Sequence, residues 1–301
     1  MSSLESLNQR FGITGQVSFV SLPGELCAVD IKNNFATARI LLQGAQLVHW
    51  QPAGERPVIW LSPAAKYVGG KSLRGGVPVC WPWFGPHASE AGFPAHGVAR
   101  TRLWQVSDVG TTDSGAIRVT LQFSPGVDAQ AHWPYASSLE LSIIVDAALT
   151  MTLVTRNESD TSITVGQALH TYFAVSDVRQ CQVRGLEGVE FLDKVDNLQR
   201  KQQAGAVTID GEVDRVYLGT ASDCVIEDPQ WQRRIHIAKT GSNTTVVWNP
   251  WQEKAAAFGD MGVDDYLRML CVESANAEDD VVVLAPGGEY ELSVRYSVEA
   301  Q

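Results

Sequence analysis

Leu139-Glu-Leu-Ser-Ile-Ile-Val-Asp-Ala-Ala-Leu-Thr-Met-Thr-Leu-Val-Thr155 alternates apolar and polar side chains with a period of two. Leu139, Leu141, Ile143 and Val145 share one face, Asp146 to Ala148 turn the chain, and Leu149, Met151 and Leu153 resume the pattern. Successive side chains of a strand point to opposite faces, so the stretch reads as a β-hairpin with one face in a core. Similar runs recur at 16–21, 36–42, 117–123, 162–173, 206–209, 234–239, 244–248, 268–273, 280–284 and 289–296. Helical patterns are confined to 4–10, a turn near 62–66, and 252–258. So few helices cannot cover both faces of a parallel sheet, which excludes α/β architectures and leaves an all-β antiparallel sandwich of two large twisted sheets. A length of 301 residues admits two domains. No fixed-period repeat or linker divides the chain, so residues 1–301 are expected to form a single domain.

The chain carries 23 basic and 34 acidic side chains for a net charge of -11, with 45% hydrophobic residues. Such a balance repels nucleic acid and acidic membrane surfaces, so any anion must be bound by local arginines. The cysteines Cys27, Cys80, Cys181, Cys224 and Cys271 are odd in number and scattered, without a C-x-x-C pair, and read as reduced structural thiols. No leader-like N-terminus and no run of membrane-spanning length is present in this sequence, so a cytoplasmic location is expected; separately, the chain is expected to be a monomer.

One irregular stretch stands apart. Arg74-Gly-Gly-Val-Pro-Val-Cys-Trp-Pro-Trp-Phe-Gly-Pro-His87, followed by Pro94-Ala-His-Gly-Val-Ala-Arg100, holds two arginines, two histidines, two tryptophans and four prolines. Prolines lock the backbone and glycines permit close approach, so this is a rigid loop between strands. Indole faces suit a sugar ring and guanidinium forks suit a phosphate or carboxylate, which points to a small anion with a ring. Gly69-Gly-Lys-Ser72 resembles the end of a phosphate-binding P-loop but lacks the first glycine, with Ala65 at that position, and lacks the following helix. His87 and His96 come without the spacing or the clustered cysteines of a metal site, so no metal and no cofactor is expected.

Within 162–173, Thr164, Gly166, Ala168, His170 and Tyr172 fall on one face and Ile163, Val165, Leu169 and Phe173 on the other. Small residues beside His170 are consistent with a ligand floor, and a histidine on a solvated strand face is the equal alternative. Glu273 lies in an apolar β-run whose neighbours would raise its pKa if enclosed, although a strand-end glutamate is more commonly solvated. Asp214 reads alone as a loop acid paired with Arg215, and Arg74 and Arg100 read alone as surface arginines.

Taken together and in order, Arg74–Pro78, Cys80–Gly85, His96–Arg100, Leu169–Phe173, Val213–Tyr217, Val247–Trp251 and Met269–Ser274 resemble the hexose-6-phosphate mutarotases (glucose-6-phosphate 1-epimerases) of the aldose 1-epimerase, or galactose mutarotase-like, superfamily. The resemblance implies a β-supersandwich and an isomerase that needs no cofactor. It implies that His170 and Glu273 are the catalytic pair and that Asp214 holds sugar hydroxyls. It further implies that Arg74 and Arg100 favour a phosphorylated substrate and that His96 sits near the ring oxygen or a hydroxyl. Trp81 and Trp83 are expected to stack on the sugar. Ala95 and Val98 depart from the family pattern, where some relatives carry a polar and an aromatic residue, and bear on fine substrate preference.

Anomer exchange requires the hemiacetal to open, rotate and close, with Glu273 as base toward the anomeric hydroxyl and His170 as acid toward the ring oxygen. An epimerase for unphosphorylated aldoses, and a non-catalytic sugar-phosphate binder, are the competing readings; fold alone does not separate them.

Overall fold

The computed structural model describes residues 3–126, 129 and 131–301. The 139–155 stretch forms the expected hairpin: Ser137–Val145 pairs antiparallel with Leu149–Asn157, with Leu139 opposite Thr155 and Val145 opposite Leu149. Burial alternates along both strands, and each large apolar side chain taken from water contributes roughly 1.5–3 kcal/mol.

This hairpin sits within a nine-stranded sheet that runs, in spatial order, through strands beginning at residues 207, 182, 224, 233, 289, 149, 137, 117 and 105. An eight-stranded sheet runs through Gln199–Gln202, Glu190–Asp193, Val213–Tyr217, Thr244–Asn249, Met269–Asn276, Gln167–Leu169 and Val79–Cys80, and Tyr172–Ala174 also pairs with Met269–Asn276. A four-stranded meander, Val17–Ser21 to Leu47–Pro52, forms a further sheet, and Ile163–Val165 pairs with Val282–Leu284 in a two-stranded one. One hydrophobic cluster joins the three larger sheets: Leu141 and Ile143 from the nine-stranded sheet, Leu169 and Val272 from the eight-stranded sheet, Val29 and Ile40 from the meander. The helices are Leu4–Phe11 and Trp251–Phe258, close to the expected ranges. No helix among the described residues is long and apolar enough to cross a membrane.

The 162–173 stretch departs from the single strand expected. It breaks into Ile163–Val165, Gln167–Leu169 and Tyr172–Ala174. The breaks are filled by the Gly76–Phe84 loop, whose carbonyls accept the freed N–H groups: Gly166 donates to Pro82, His170 to Pro78 and Tyr172 to Gly76. A Cβ at 166 would lie 3.2 Å from the Phe84 nitrogen, a contact tighter than ordinary packing, so glycine relieves crowding there. The space above Gly166 is therefore loop backbone, and the expected opening at that point is corrected. The facial alternation nevertheless survives the breaks, with Leu169 and Phe173 in the core and Ala168 and Tyr172 on the opposite side.

Candidate active site

Met269–Asn276 is buried along its whole length between Thr244–Asn249 and the two short strands that flank His170. Its alternation sends Leu270 and Val272 into the main core and Cys271, Glu273 and Ala275 to the other face. Glu273 is thus mid-strand, and the solvated strand-end reading does not apply: its side chain is 1% exposed. His170 projects from the break between strands, stacked on Tyr172 at 5.0 Å and edge-on to Trp248 at 6.0 Å. Its Nε2 lies 3.4 Å from Glu273 Oε1, with the imidazole 10% exposed. Two further buried atoms of the pair, His170 Nδ1 and Glu273 Oε2, have no protein partner. A buried polar atom left unpaired costs about 1–3 kcal/mol, and both atoms stay available to a bound group.

Burial pushes the Glu273 carboxyl well above its ordinary range, helped by Asp214 and opposed by Lys194. Burial likewise drives the His170 imidazole well below its ordinary value, helped by His96, Arg100 and Arg74. Both directions disfavour charge and favour a carboxylic acid beside a neutral imidazole. Carboxylic acid with neutral imidazole, and carboxylate with imidazolium, differ by one proton moved across the 3.4 Å gap.

His96 closes the site from the loop. Its residue takes a left-handed conformation (φ 64°), followed by Gly97 (φ 72°), where a Cβ would meet the Trp81 carbonyl at 1.9 Å. The ring lies 5.5 Å from that of His170. Its Nδ1 accepts the Gly85 N–H at 3.3 Å, which leaves Nε2 to carry the proton as a donor. Burial, aided by Arg100, Lys194 and Arg74, lowers its pKa to about 3, so it is a neutral donor.

The arginines converge. Arg74 Nε donates to Asp260 at 3.0 Å, one terminal nitrogen lies 3.4 Å from the Tyr172 hydroxyl, and the guanidinium lies 4.2 Å over Phe258. Arg100 donates to the Ala95 carbonyl at 2.8 Å. Both line a cavity of about 270 Å³ together with Lys71, Ser72, Thr101 and Tyr172. The Gly-Gly-Lys-Ser segment, rejected as a P-loop, thus reappears as one wall of a cationic cavity that shares Tyr172 with the His170 pair. Asp214 is half-buried in the strand Val213–Tyr217; its near cation is Lys194 at 3.9 Å, while Arg215 turns to Phe191 and Gln203, so the expected Asp214–Arg215 pairing does not form.

The aldose 1-epimerase family model matches residues 28–297. The chain belongs to the aldose 1-epimerase family. Within it, this chain is 36% identical over 256 residues to an Escherichia coli protein described as a "putative glucose-6-phosphate 1-epimerase", covering 85% of each chain. A relative of the same description from Cenchrus ciliaris is 33% identical over 262 residues, covering 84% of this chain and 78% of the relative. The crystal structure of a "putative mutarotase" from Salmonella typhimurium superposes with a TM-score of 0.90 at 30% identity, covering 97% of this chain and 96% of that one.

Two expected members of the epimerase site lie elsewhere. Trp81 is fully buried in the main core, edge-on to Phe123 and Trp133, and offers no face to a sugar. Trp83 belongs to the same core cluster, its indole N–H held by the Pro94 carbonyl at 2.9 Å. The physical reason is parity: Val79, Trp81 and Trp83 point one way along the loop strand, and Cys80 points the other, into the small cluster with Ala168 and Ala275. The aromatic surface beside the pair comes instead from Tyr172 and Trp248, with Phe84 against His96 at 5.0 Å. Tyr172 shares parity with His170 and was readable on that ground; Lys194 and Cys271 were passed over. His170, Cys271 and Glu273 offer ligand-type atoms that all lie within 4.8 Å of one another.

Proposed function

We propose that this chain interconverts the α and β anomers of a D-hexose 6-phosphate, glucose 6-phosphate first, by acid/base opening and closure of the sugar ring. The observation that carries the proposal is the buried His170–Glu273 pair, 3.4 Å apart, next to a cavity lined by Arg74 and Arg100. The curated relatives described as glucose-6-phosphate 1-epimerases, at 31–36% identity, support the same reading.

Ring opening needs one group able to take a proton and one able to give it, and a pair with a single proton is in that state by construction. In the carboxylate–imidazolium form Glu273 takes the proton of the anomeric hydroxyl as His170 protonates the ring oxygen, and the C1–O5 bond breaks to leave an aldehyde. Rotation about C1–C2 presents the other carbonyl face. The ring oxygen then attacks C1, returning its proton to His170 while Glu273 protonates the new anomeric oxygen. No electrons leave the sugar. Each placed acid or base contributes about 10²- to 10⁴-fold over the spontaneous reaction. His96, as a neutral N–H donor, steadies the ring oxygen or a neighbouring hydroxyl, and Asp214 holds hydroxyls on the far side. Phosphate bound by Arg74 and Arg100, with Lys71 and Ser72 across the same cavity, anchors the substrate away from C1 and positions the reacting atoms.

Polarimetry on freshly dissolved α-glucose 6-phosphate and α-glucose tests the reading. Catalysed equilibration with a marked preference for the phosphorylated sugar supports it. Equal rates on both would replace it with an epimerase of free aldoses, and spontaneous rates on both would leave only a binding protein.

A further inference from the structure

We propose that His170, Cys271 and Glu273 form a binding site for a single zinc ion, and that zinc held there switches the enzyme off. The metal site stands on geometry of its own; only its consequence, inhibition, rests on the anomer-exchange reading.

Cys271 and Glu273 project from the same face of Met269–Asn276, two residues apart, and Tyr172 opposite Cys271 brings His170 alongside. One nitrogen, one sulfur and one carboxylate oxygen fall within 4.8 Å of one another, all buried. The His170 Nε2 to Glu273 Oε1 separation is 3.4 Å. Two ligands bound to zinc at about 2.0–2.1 Å in tetrahedral geometry stand roughly 3.3–3.4 Å apart, so this edge of the coordination sphere is already set. The sulfur needs to approach to about 3.6 Å of the other two, a shift on the order of 1 Å at most. Glu273 Oε2 has no protein hydrogen-bond partner competing for it.

The donor set selects the metal. Imidazole, thiolate and carboxylate together suit zinc and disfavour magnesium or calcium, which take oxygen ligands. Three protein ligands also match the count of zinc sites that keep a fourth position for water or another small ligand. On binding, the Cys271 thiol and the Glu273 carboxyl release their protons to water, and no redox step is involved. The consequence is inhibition: the lone pairs through which Glu273 and His170 exchange protons with the sugar become metal bonds, so zinc and substrate exclude each other. Neither His87 nor His96, the histidines singled out in the sequence, belongs to this set.

The test uses the whole chain and two probes. Cobalt(II) titration reads binding without any assay of activity, and a thiolate-to-cobalt charge-transfer band is expected for wild type and not for Cys271→Ser. Zinc at buffered micromolar concentration is expected to suppress anomer exchange in wild type, reversibly with EDTA and competitively with glucose 6-phosphate. Cys271→Ser, measured against its own uninhibited rate, should need about tenfold more zinc or higher. Cys80→Ala, which removes the other buried thiol on this face, should keep wild-type sensitivity. If Cys271→Ser folds poorly, Cys271→Ala replaces it, with folding checked by circular dichroism. Absence of the thiolate band, or equal zinc sensitivity in the Cys271 variants, overturns the site. A cobalt band in a protein without anomer-exchange activity would keep the site and overturn the functional reading instead.

Discussion

The two faces of the eight-stranded sheet are built from alternate residues of the same strands and have opposite chemistry. Leu169, Phe173, Leu270 and Val272, with Val79 and Trp81 beside them, face the nine-stranded sheet. His170, Tyr172, Cys271 and Glu273 lie on the opposite side, the side of the proposed substrate cleft. Burial does not distinguish the two, since Glu273 is as enclosed as the core leucines. Polar satisfaction does. On the core side Thr171 and Tyr296 pair their hydroxyls at 2.6 Å, and the Trp81 indole N–H is the exception left unpaired. On the cleft side both members of an ionisable pair keep an unpaired atom. A period of two is thus enough to place hydrocarbon and ionisable groups one residue apart, and the proposed catalytic pair lies on the face opposite the core.

Substitutions should separate the faces. Glu273→Gln and His170→Asn are expected to lower kcat by about 10²- to 10⁴-fold while leaving the thermal midpoint nearly unchanged, because each replaces a group that the fold leaves partly unsatisfied. Trp81→Ala should do the reverse, costing about 3–5 kcal/mol in denaturant unfolding while the folded fraction keeps its KM. A wild-type stability for Trp81→Ala with a raised KM would return that indole to the substrate site. Arg74→Met and Arg100→Met should each raise KM for glucose 6-phosphate by roughly 10- to 100-fold, the loss of a charged hydrogen bond of about 1.5–3 kcal/mol, with little change for free glucose. Equal effects on both sugars would indicate a folding defect.

The pH profile gives the smallest effect and the finest distinction. On the proposed mechanism, activity belongs to the form in which the pair holds one proton. Uptake of a second proton by His170, whose pKa is lowered, should remove activity only well below the ordinary imidazole range. Loss of the proton from Glu273, whose pKa is raised, should remove it above the ordinary carboxyl range. A bell-shaped kcat/KM with its acidic limb below about 6.5 is therefore expected, and Glu273→Gln should abolish the alkaline limb in whatever activity remains.

Much of this was legible in the chain before any coordinates. The 139–155 alternation gave the hairpin and with it the all-β class, and parity placed His170 opposite Leu169 correctly even though the strand is broken. The faces of Trp81 and Trp83 were not legible, because an irregular Pro- and Gly-rich loop has no long run from which to read parity. Gly166 looked like open floor for a similar reason: small residues leave room either for a ligand or for a crossing backbone, and here the Trp83–Phe84 backbone takes it. Asp214 found Lys194 in place of its neighbour Arg215 because successive residues of a strand point apart. The nearness of Cys271 to Glu273 was readable from their i, i+2 relation on one strand face, a signal hidden by reading every cysteine as a structural thiol.

The most direct measurement is two-dimensional exchange NMR on the anomeric protons of glucose 6-phosphate at equilibrium, with wild type and Glu273→Gln at matched concentration of folded protein. Exchange cross-peaks accelerated by wild type and reduced to near the spontaneous rate by Glu273→Gln are expected. Wild-type exchange at the spontaneous rate, or undiminished exchange in Glu273→Gln, would contradict the assignment of the buried pair as the catalytic centre.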